Sequence, residues 1–322
     1  MEKIKPIADE SLGVRSMAIL VEVGDTNILL DAGVSLAPSR YGLPPHPAEF
    51  KELIRRRKLL LNAAGRASIV VVSHYHRDHY TPFERRIYEA SGPDVFREIY
   101  GGKLVLAANP EIGLTGSQKQ RARRFFSHAE RISRLRLVGE GDSVAVGDVV
   151  LEFRVFSHGE GRMGNVLGVV IREEGVPLLI YAPDVQGPFK ERDASFILDN
   201  IPRLLVIGGP PLYLARSGRV SWGTVERGMR NLSRIVASVH EAGGKVVLSH
   251  HLLRDAEWRQ ELEKYGIREG FLLYSDLCGE EPMFLEAYRR DLYEAEPPPA
   301  GYIESISRMK DARPEDVLRE KR

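Results

Sequence analysis

The sequence predicts a layered α/β (α+β) fold in which two mixed β-sheets lie between helices. Nine short apolar segments, most of them five to eight residues long and rich in β-branched residues, are typical of strands. The first of them are joined by hairpin turns, whereas the later ones alternate with amphipathic helices. This combination of connections indicates two sheets inside a coat of helices.

Each predicted element has a local signal. The strand-like segments are 17–23, 27–31, 67–73, 103–108, 149–157, 166–171, 177–182, 203–208 and 245–249. Hairpin turns are predicted at residues 24–25, 146–148 and 173–175. Apolar periodicity predicts helices over 47–63, 82–91, 117–135, 223–242, 255–265 and 281–293.

The Pro-rich stretch 296–301 divides the chain into two predicted parts. Residues 1–295 are expected to form one domain, and residues 296–322 a linker with a short helical tail whose last helix begins near residue 313.

Composition excludes several classes of protein. With 322 residues and 43% hydrophobic content, the chain is able to bury a sizeable core. The 46 basic and 45 acidic residues give no overall charge that favours nucleic acid or membranes. We expect no membrane span and no signal peptide, and a lone cysteine is typical of a cytoplasmic protein. Six Asn and four Gln among so many charged residues are typical of a thermophile.

Residues 73–80, SHYHRDHY, place four metal-capable side chains within six positions. They are His74, His76, Asp78 and His79. His74 and His76 follow a strand two residues apart, so in extended chain they point the same way and suit one ion. Asp78 and His79 then suit a second ion. This spacing arises rarely by chance, and imidazole with carboxylate fits Zn²⁺, Mn²⁺ or Fe.

Three later strands also end at metal-capable residues. His158 follows segment 149–157, Asp184 follows 177–182, and His250 and His251 follow 245–249. Because sites in α/β sheets form at the carboxyl ends of strands, these side chains are expected to meet the histidine cluster.

The ordered set, with Asp31 after the first hairpin, resembles the metallo-β-lactamase superfamily of hydrolases over about residues 15–255. The stretches GVSLAPSRYGLPPHP and LSHHLLRD are similar to an archaeal branch of that superfamily. The resemblance implies a four-layer αβ/βα sandwich, the metallo-β-lactamase fold. It also implies two divalent metal ions, with zinc favoured over manganese or iron.

The resemblance further implies a role for each residue. One ion is bound by His74, His76 and His158, the other by Asp78, His79 and His250, with Asp184 bridging them. Asp31 orients a ligand through a hydrogen bond. His250 is favoured over its neighbour as the ligand because side chains alternate along extended chain.

The expected catalytic residues are Asp78, His251 and Arg254. The resemblance implies that Asp78 orients the attacking water. His251 is expected either to support a ligand or to contact the substrate, and Arg254, four residues after the last ligand, to contact a phosphate. The basic segment 119–136 predicts a phosphate-binding patch, or else the solvated face of an amphipathic helix. Arg40, Tyr41, His46 and Tyr213 are candidates for the pocket wall.

We therefore expect a hydrolase that uses metal-activated water on a phosphodiester, in RNA or a nucleotide. The alternative is a lactonase or thioesterase acting on a small carboxylic substrate. A metal-stabilised binding protein without turnover is the third interpretation.

Overall fold

A six-stranded sheet forms the first half of the protein. The structure, a computed structural model, describes residues 3–159 and 163–319. The strands of this sheet, in spatial order, are β1 (Lys3–Ala8), β2 (Ala18–Val23), β3 (Thr26–Leu30), β4 (Ile69–Val72), β5 (Leu104–Ala108) and β6 (Arg134–Val138). Pairing is antiparallel from β1 to β3 and parallel from β3 to β6, so the sheet is mixed.

A seven-stranded sheet forms the second half. Its strands in chain order are β7 (Ser143–Val146), β8 (Val149–Ser157), β9 (Asn165–Glu173), β10 (Val176–Ala182), β11 (Leu204–Gly208), β12 (Lys245–Ser249) and β13 (Phe271–Leu272). They lie side by side in the order β13-β12-β11-β10-β9-β8-β7. The hairpin strands β7 to β10 are antiparallel, and β10 to β13 are parallel. Both sheets are therefore mixed, as expected.

Helices cover the outer faces of the two sheets. The first sheet carries α1 (Pro47–Arg66), α2 (Pro93–Tyr100) and α3 (Gly116–Ala129). The second carries α4 (Glu191–Asp199), α5 (Leu212–Arg216), α6 (Trp222–Glu241) and α7 (Trp258–Lys264). The last helices are α8 (Tyr274–Cys278), α9 (Arg289–Ala295), α10 (Tyr302–Arg308) and α11 (Pro314–Arg319).

The two sheets pack face to face because their strands are apolar on both sides. Along β11, Val206 belongs to the core shared with the first sheet, whereas Leu205 and Ile207 pack with the helices of the second half. Such alternation is the geometry of an extended strand with two buried faces. The layer order is helices, sheet, sheet, helices, which confirms the predicted fold.

Three predicted helices are wrong in extent or position. Residues 82–91 are not helical: Ile87 and Tyr88 instead hydrogen-bond through their backbones to Lys310 and Leu36, and the helix begins later, at Pro93. The predicted helix 117–135 ends at Ala129, because residues 134–138 pair with β5 as strand β6. Only the last part of 281–293 is helical, within α9. Short polar strands such as β6 lack the apolar signal that identified the others.

The C-terminal segment packs against the first half of the chain. Tyr302, Ile306 and Val317 are buried in the same core as the first sheet, and the Tyr302 hydroxyl donates to the carbonyl oxygen of Pro45 at 2.7 Å. The last helix begins at Pro314, close to the predicted position.

Candidate metal centre

Five strand ends deliver polar side chains to one place between the two sheets. Asp31 follows β3, His74 follows β4, His158 follows β8, Asp184 follows β10 and His250 follows β12. All five side chains are at most 1% exposed. The site is therefore built jointly by both halves of the fold.

Three of these five residues have a left-handed backbone conformation. Asp31, Asp184 and His250 have φ values of 52°, 51° and 65°. This conformation is unfavourable for residues other than glycine, and it concentrates at functional sites where the surrounding structure maintains it. Here the turn directs each side chain away from its strand and into the shared space.

A first group of ligand atoms converges on one carboxylate oxygen. The Nε2 atoms of His74 and His158 each lie 3.1 Å from Oδ2 of Asp184, and Nδ1 of His76 lies 3.5 Å from it. The side chain of His76 is 28% exposed, so this group opens toward solvent on the side of His76.

A second group lies on the other side of the same carboxylate. Nε2 of His250 is 2.8 Å from Oδ1 of Asp184, 3.4 Å from Oδ2 of Asp78 and 3.2 Å from Nε2 of His79. Nε2 of His79 lies 3.5 Å from Oδ2 of Asp184. Asp184 therefore contacts both groups: His250 faces its Oδ1, whereas His79 faces the same Oδ2 as the first group.

The chemistry of this donor set fits divalent cations. Imidazole nitrogens face one another and a single carboxylate. Oδ1 of Asp184 is buried and, although Nε2 of His250 lies 2.8 Å away, it accepts no well-aligned hydrogen bond among the described residues. When two imidazole nitrogens face each other, only one of them can carry the proton of an N–H···N hydrogen bond. A cation placed between them can bind the lone pairs of both.

Electrostatics favour the metal-binding form of both carboxylates and of His76. They favour the protonated form of His79 and His250, where burial is outweighed by Asp184 with Asp31 or Glu10, which raise the pKa of these two histidines. Burial opposes ionisation of Asp78, but His79, His250 and Arg254 outweigh it and hold the pKa of Asp78 well below its usual range. Burial is likewise outweighed at Asp184, whose pKa lies well below normal because four histidines surround it. Burial lowers the pKa of His76 to about 4. Ionised carboxylates and neutral imidazoles are the metal-binding species.

Two carboxylates orient the histidines of the second group. Nδ1 of His79 donates to Oδ2 of Asp31 at 2.8 Å, and Nδ1 of His250 lies 3.1 Å from Oε1 of Glu10. Each contact directs Nε2 of the ring toward the centre, where Nε2 of His250 also lies 2.9 Å from Nη2 of Arg254. The orienting position of Asp31 was predicted. Glu10 was not, because it lies 240 residues from His250 in a charged segment without a recognisable motif.

His250 and His251 both reach the centre. Nε2 of His251 lies 3.2 Å from Oδ1 of Asp184, and its Nδ1 is 2.9 Å from the hydroxyl oxygen of Tyr213. The premise that only one of the pair points inward is wrong, because residues 250–254 form a 3₁₀-helix rather than extended chain. Gln186, which sequence reasoning missed, lies between His251 and His158, with Nε2 3.3 Å from His251 Nε2 and 3.4 Å from His158 Nδ1.

Arg254 lies in a buried ion network beside the centre. Its Nε donates to Oε1 of Glu10 at 2.7 Å, and its Nη2 donates to Oδ2 of Asp78 at 3.1 Å. The guanidinium is only 3% exposed, although it also lines the cleft next to the centre. In this position Arg254 fixes the carboxylate of Asp78.

Two adjoining cavities lead from the centre to solvent. The inner cleft, of about 370 Å³, is lined by His76, Asp78, Asp184, His251, Arg121 and Arg254. The outer cleft, of about 740 Å³, is lined by Arg40, Tyr41, Arg216 and Arg219 among others. Arg15 and Tyr213 line both. His46, another candidate for the pocket wall, is buried as the N-cap of α1 instead.

The basic segment 119–136 is divided between a helix and a strand. Phe125 is 2% exposed and packs against Tyr75, Tyr80 and Tyr100, so its ring is not available for stacking on a base. Arg121 is the residue of this segment that lines the inner cleft.

The comparisons with known proteins agree with this geometry. A family model described as a β-lactamase superfamily domain matches residues 26–201, more than half of the chain. The UPF0282 protein PH1002 of Pyrococcus horikoshii is 40% identical over 298 residues, which cover 91% of this chain and 94% of the relative. The chain belongs to the UPF0282 family of the β-lactamase superfamily.

Other UPF0282 proteins are similar over nearly their whole length. That of Methanopyrus kandleri is 38% identical over 90% of this chain and 98% of its own. The relatives come from archaeal thermophiles, in line with the composition. Among solved structures, the metallo-β-lactamase fold protein YhfI from Bacillus subtilis has a TM-score of 0.48 and 14% identity, covering 85% of this chain and 96% of that one.

Membership of this family, together with the His/Asp cluster, indicates a metal-dependent hydrolase. Across the described residues of this UPF0282 family member, none of the helices combines the length and apolar character needed to cross a membrane.

Proposed function

We propose that the protein is a binuclear metal-dependent phosphodiesterase. The observation that carries the binuclear assignment is the position of Asp184, whose Oδ2 faces His74, His76 and His158 and whose Oδ1 faces His250. Two divalent cations held there, with zinc favoured over manganese or iron, would lower the pKa of a shared water and polarise the scissile phosphoryl group.

The chain's own residues then have separate tasks. Asp78 remains ionised beside the inner cleft and is positioned to accept a hydrogen bond from the attacking water. Arg254 donates a hydrogen bond to the carboxylate of Asp78, and this contact keeps the carboxylate in a single orientation. Tyr213 and His251 form a hydrogen-bonded pair at the junction of the two clefts, where they contact the substrate.

The charge of the inner cleft favours a phosphodiester over a neutral ester. Arg121 lines this cleft, and its hydrogen bonds go to the carbonyl and hydroxyl oxygens of Ser117 rather than to a carboxylate. Arg77 lines the same cleft but pairs with Glu89 at 3.5 Å, which leaves Arg121 as the guanidinium available to an anion. Guanidinium groups match phosphate oxygens in charge and geometry, whereas a lactone or thioester has no charge at its reacting group.

Metal content and substrate class are tested together. The purified protein is analysed for bound metal by mass spectrometry and assayed on bis(p-nitrophenyl) phosphate, lactones and thioesters. We expect two ions per chain and turnover of the phosphodiester. His76→Ala should reduce this turnover on the order of a hundredfold or more, because the site loses a nitrogen donor that faces the cleft.

A matched control is His240→Ala, since His240 is exposed on α6 and should leave metal content and turnover unchanged. Equal activity in His76→Ala and the wild type would contradict the metal-dependent assignment. Turnover of lactones or thioesters without the phosphodiester would contradict the substrate class alone.

A further inference from the structure

The outer cleft contains a guanidinium group that lacks a counter-ion. Arg40 forms no ion pair with any acidic side chain in the described ranges, and its Nε atom is buried without a hydrogen-bond partner there. Its one short contact is the donation from Nη2 to the carbonyl oxygen of Arg254 at 2.6 Å. A half-buried charge without a partner is costly, and an anionic ligand would offset that cost.

Two aromatic rings fix the plane of this guanidinium. The Cζ atom of Arg40 lies 4.6 Å from the ring centroid of Tyr41 and 4.8 Å from that of Tyr213. Cation–π contacts of this kind orient an arginine without neutralising it. With Nη2 bound to Arg254 and Nε buried, Nη1 of Arg40 donates to no acceptor among the described residues and remains for a phosphate oxygen.

The turn that carries Arg40 is strained. Tyr41 has a φ of 57° and is 43% exposed, and it is followed by Gly42 at 77°. A bulky aromatic residue in left-handed conformation at a cleft mouth is maintained only where surrounding contacts compensate the strain. The Tyr41 hydroxyl donates to the carbonyl oxygen of Ala287 at 3.0 Å, which anchors this turn to the body of the protein.

The other charged residues of the outer cleft leave it with an excess of positive charge. Arg216 is neutralised by Asp255, Glu257 and Glu261 at 2.9, 2.7 and 3.2 Å. Arg219, on the same wall, is exposed and forms no ion pair within the described part of the chain. Arg40 and Arg219 therefore leave unbalanced positive charge in a cavity that adjoins the metal centre.

We propose that the outer cleft binds a second phosphate group of the substrate, with Arg40 as the specificity-determining residue. The substrate would be an extended phosphodiester whose scissile group lies in the inner cleft and whose additional phosphate lies between Arg40 and Arg219. The identity of this phosphate as part of the substrate rests on the proposed phosphodiesterase function, whereas the anion site itself does not.

Binding of inorganic phosphate tests the anion site without reference to catalysis. Isothermal titration calorimetry on the full chain is expected to show millimolar or tighter binding that Arg40→Met weakens about tenfold or more. The matched control Arg97→Met, an exposed arginine on α2, should bind as the wild type does. His76→Ala should also retain this binding, which separates the outer cleft from the metal centre.

Arg219→Met gives a second test should Arg40→Met fail to fold, because Arg219 is exposed and makes no ion pair in the described residues. We expect it to weaken phosphate binding severalfold. Unchanged phosphate binding in both variants would overturn the proposal. Acetate binding as strong as that of phosphate would overturn the assignment to phosphate.

Kinetics test the link to the substrate. Thymidine 5′-(p-nitrophenyl phosphate) is compared with its 3′-phosphorylated form, which carries the additional anion. We expect the 3′-phosphate to raise kcat/KM about tenfold, mainly through KM, and Arg40→Met to abolish that advantage while retaining turnover of bis(p-nitrophenyl) phosphate. Absence of any phosphodiester turnover would contradict the proposed function alone, because phosphate binding is measured independently.

Discussion

Nδ1 of His79 lies 2.8 Å from Oδ2 of Asp31, and both side chains are completely buried. The carboxylate of Asp31 also accepts hydrogen bonds from the backbone N–H and hydroxyl of Ser73 and from the hydroxyl of Tyr181. With so many donors around it, Asp31 holds the His79 ring in one orientation, with Nε2 toward the second ligand group.

Asp31→Asn is expected to weaken metal binding about ten- to a hundredfold without unfolding the protein. Asparagine tolerates the left-handed backbone at this position, but its amide replaces an acceptor among several donors. Metal affinity is measured by titration of the metal-free protein. Asp148→Asn, on the exposed turn between β7 and β8, is the control. Equal affinities in the two variants would show that Asp31 does not orient a ligand.

Glu10→Gln is expected to weaken the second ion selectively. Glu10 contacts Nδ1 of His250 and Nε of Arg254, and neither residue belongs to the first ligand group. Metal analysis after dialysis should show a decrease from two ions per chain toward one, since loss of such an orienting partner costs about ten- to a hundredfold in affinity. Exposed Glu269→Gln serves as control. Equal loss of both ions would contradict the selective role.

Gly33→Ala should disrupt the histidine cluster through its backbone. A Cβ atom at this position would lie 2.5 Å from the backbone nitrogen of Tyr80 and 2.6 Å from the carbonyl oxygen of Asp78. We expect weaker metal binding and a loss of about 2–3 kcal/mol in the free energy of unfolding, as for other overpacked sites. Gly65→Ala in α1 meets open space and should stabilise the protein by about 0.5–1 kcal/mol. Chemical denaturation of both variants, with metal titration, measures the difference.

The ion pair between Arg15 and Glu286 should make stability depend on acid pH. Burial opposes ionisation of Glu286, but Arg15, at 2.5 and 2.6 Å, outweighs it and lowers the pKa of Glu286 to about 2. The folded protein therefore binds fewer protons than the unfolded chain between about pH 4.5 and pH 2, so stability is present above this window and is lost as the pH falls through it.

The contribution of Glu286 at neutral pH is about 3 kcal/mol, from its pKa shift. Denaturation of the metal-free protein from pH 6 to pH 3 should show a shallower loss of stability in Glu286→Gln than in the wild type. Exposed Glu263→Gln should follow the wild-type curve. Parallel curves for wild type and Glu286→Gln would mean that the ion pair does not stabilise the fold.

The candidate metal centre was largely predictable because its residues follow apolar strands. His158 and Asp184 are ordinary polar residues in isolation, and only their shared position after strong strands connects them to the histidine cluster. The strand segments themselves were predicted because both faces of β9 to β12 are buried, which gives long apolar runs.

What the sequence did not predict depends on contacts between distant segments. Glu10 reaches His250 and Arg254 only once the start of the chain packs beside β12. The spacing of apolar residues along the chain does not predict that contact. Strand β6 is polar because it pairs only with β5, at the edge of its sheet, so its residues resembled the end of a helix. The inward direction of both His250 and His251 depends on a local 3₁₀-helix that breaks strand alternation.

The division of the centre between two sheets also has a consequence for the order of folding. His74, His76 and His79 follow β4 of the first sheet, whereas His158, Asp184 and His250 come from the second. Each of the two ligand groups described above takes residues from both sheets, so the complete groups form only where the two sheets have docked. These contacts join residues far apart in the sequence, such as His79 and His250 at 171 positions, and contacts of this kind slow folding. We therefore expect the complete pair of ion sites in the folded chain, and not in either sheet before the two have docked.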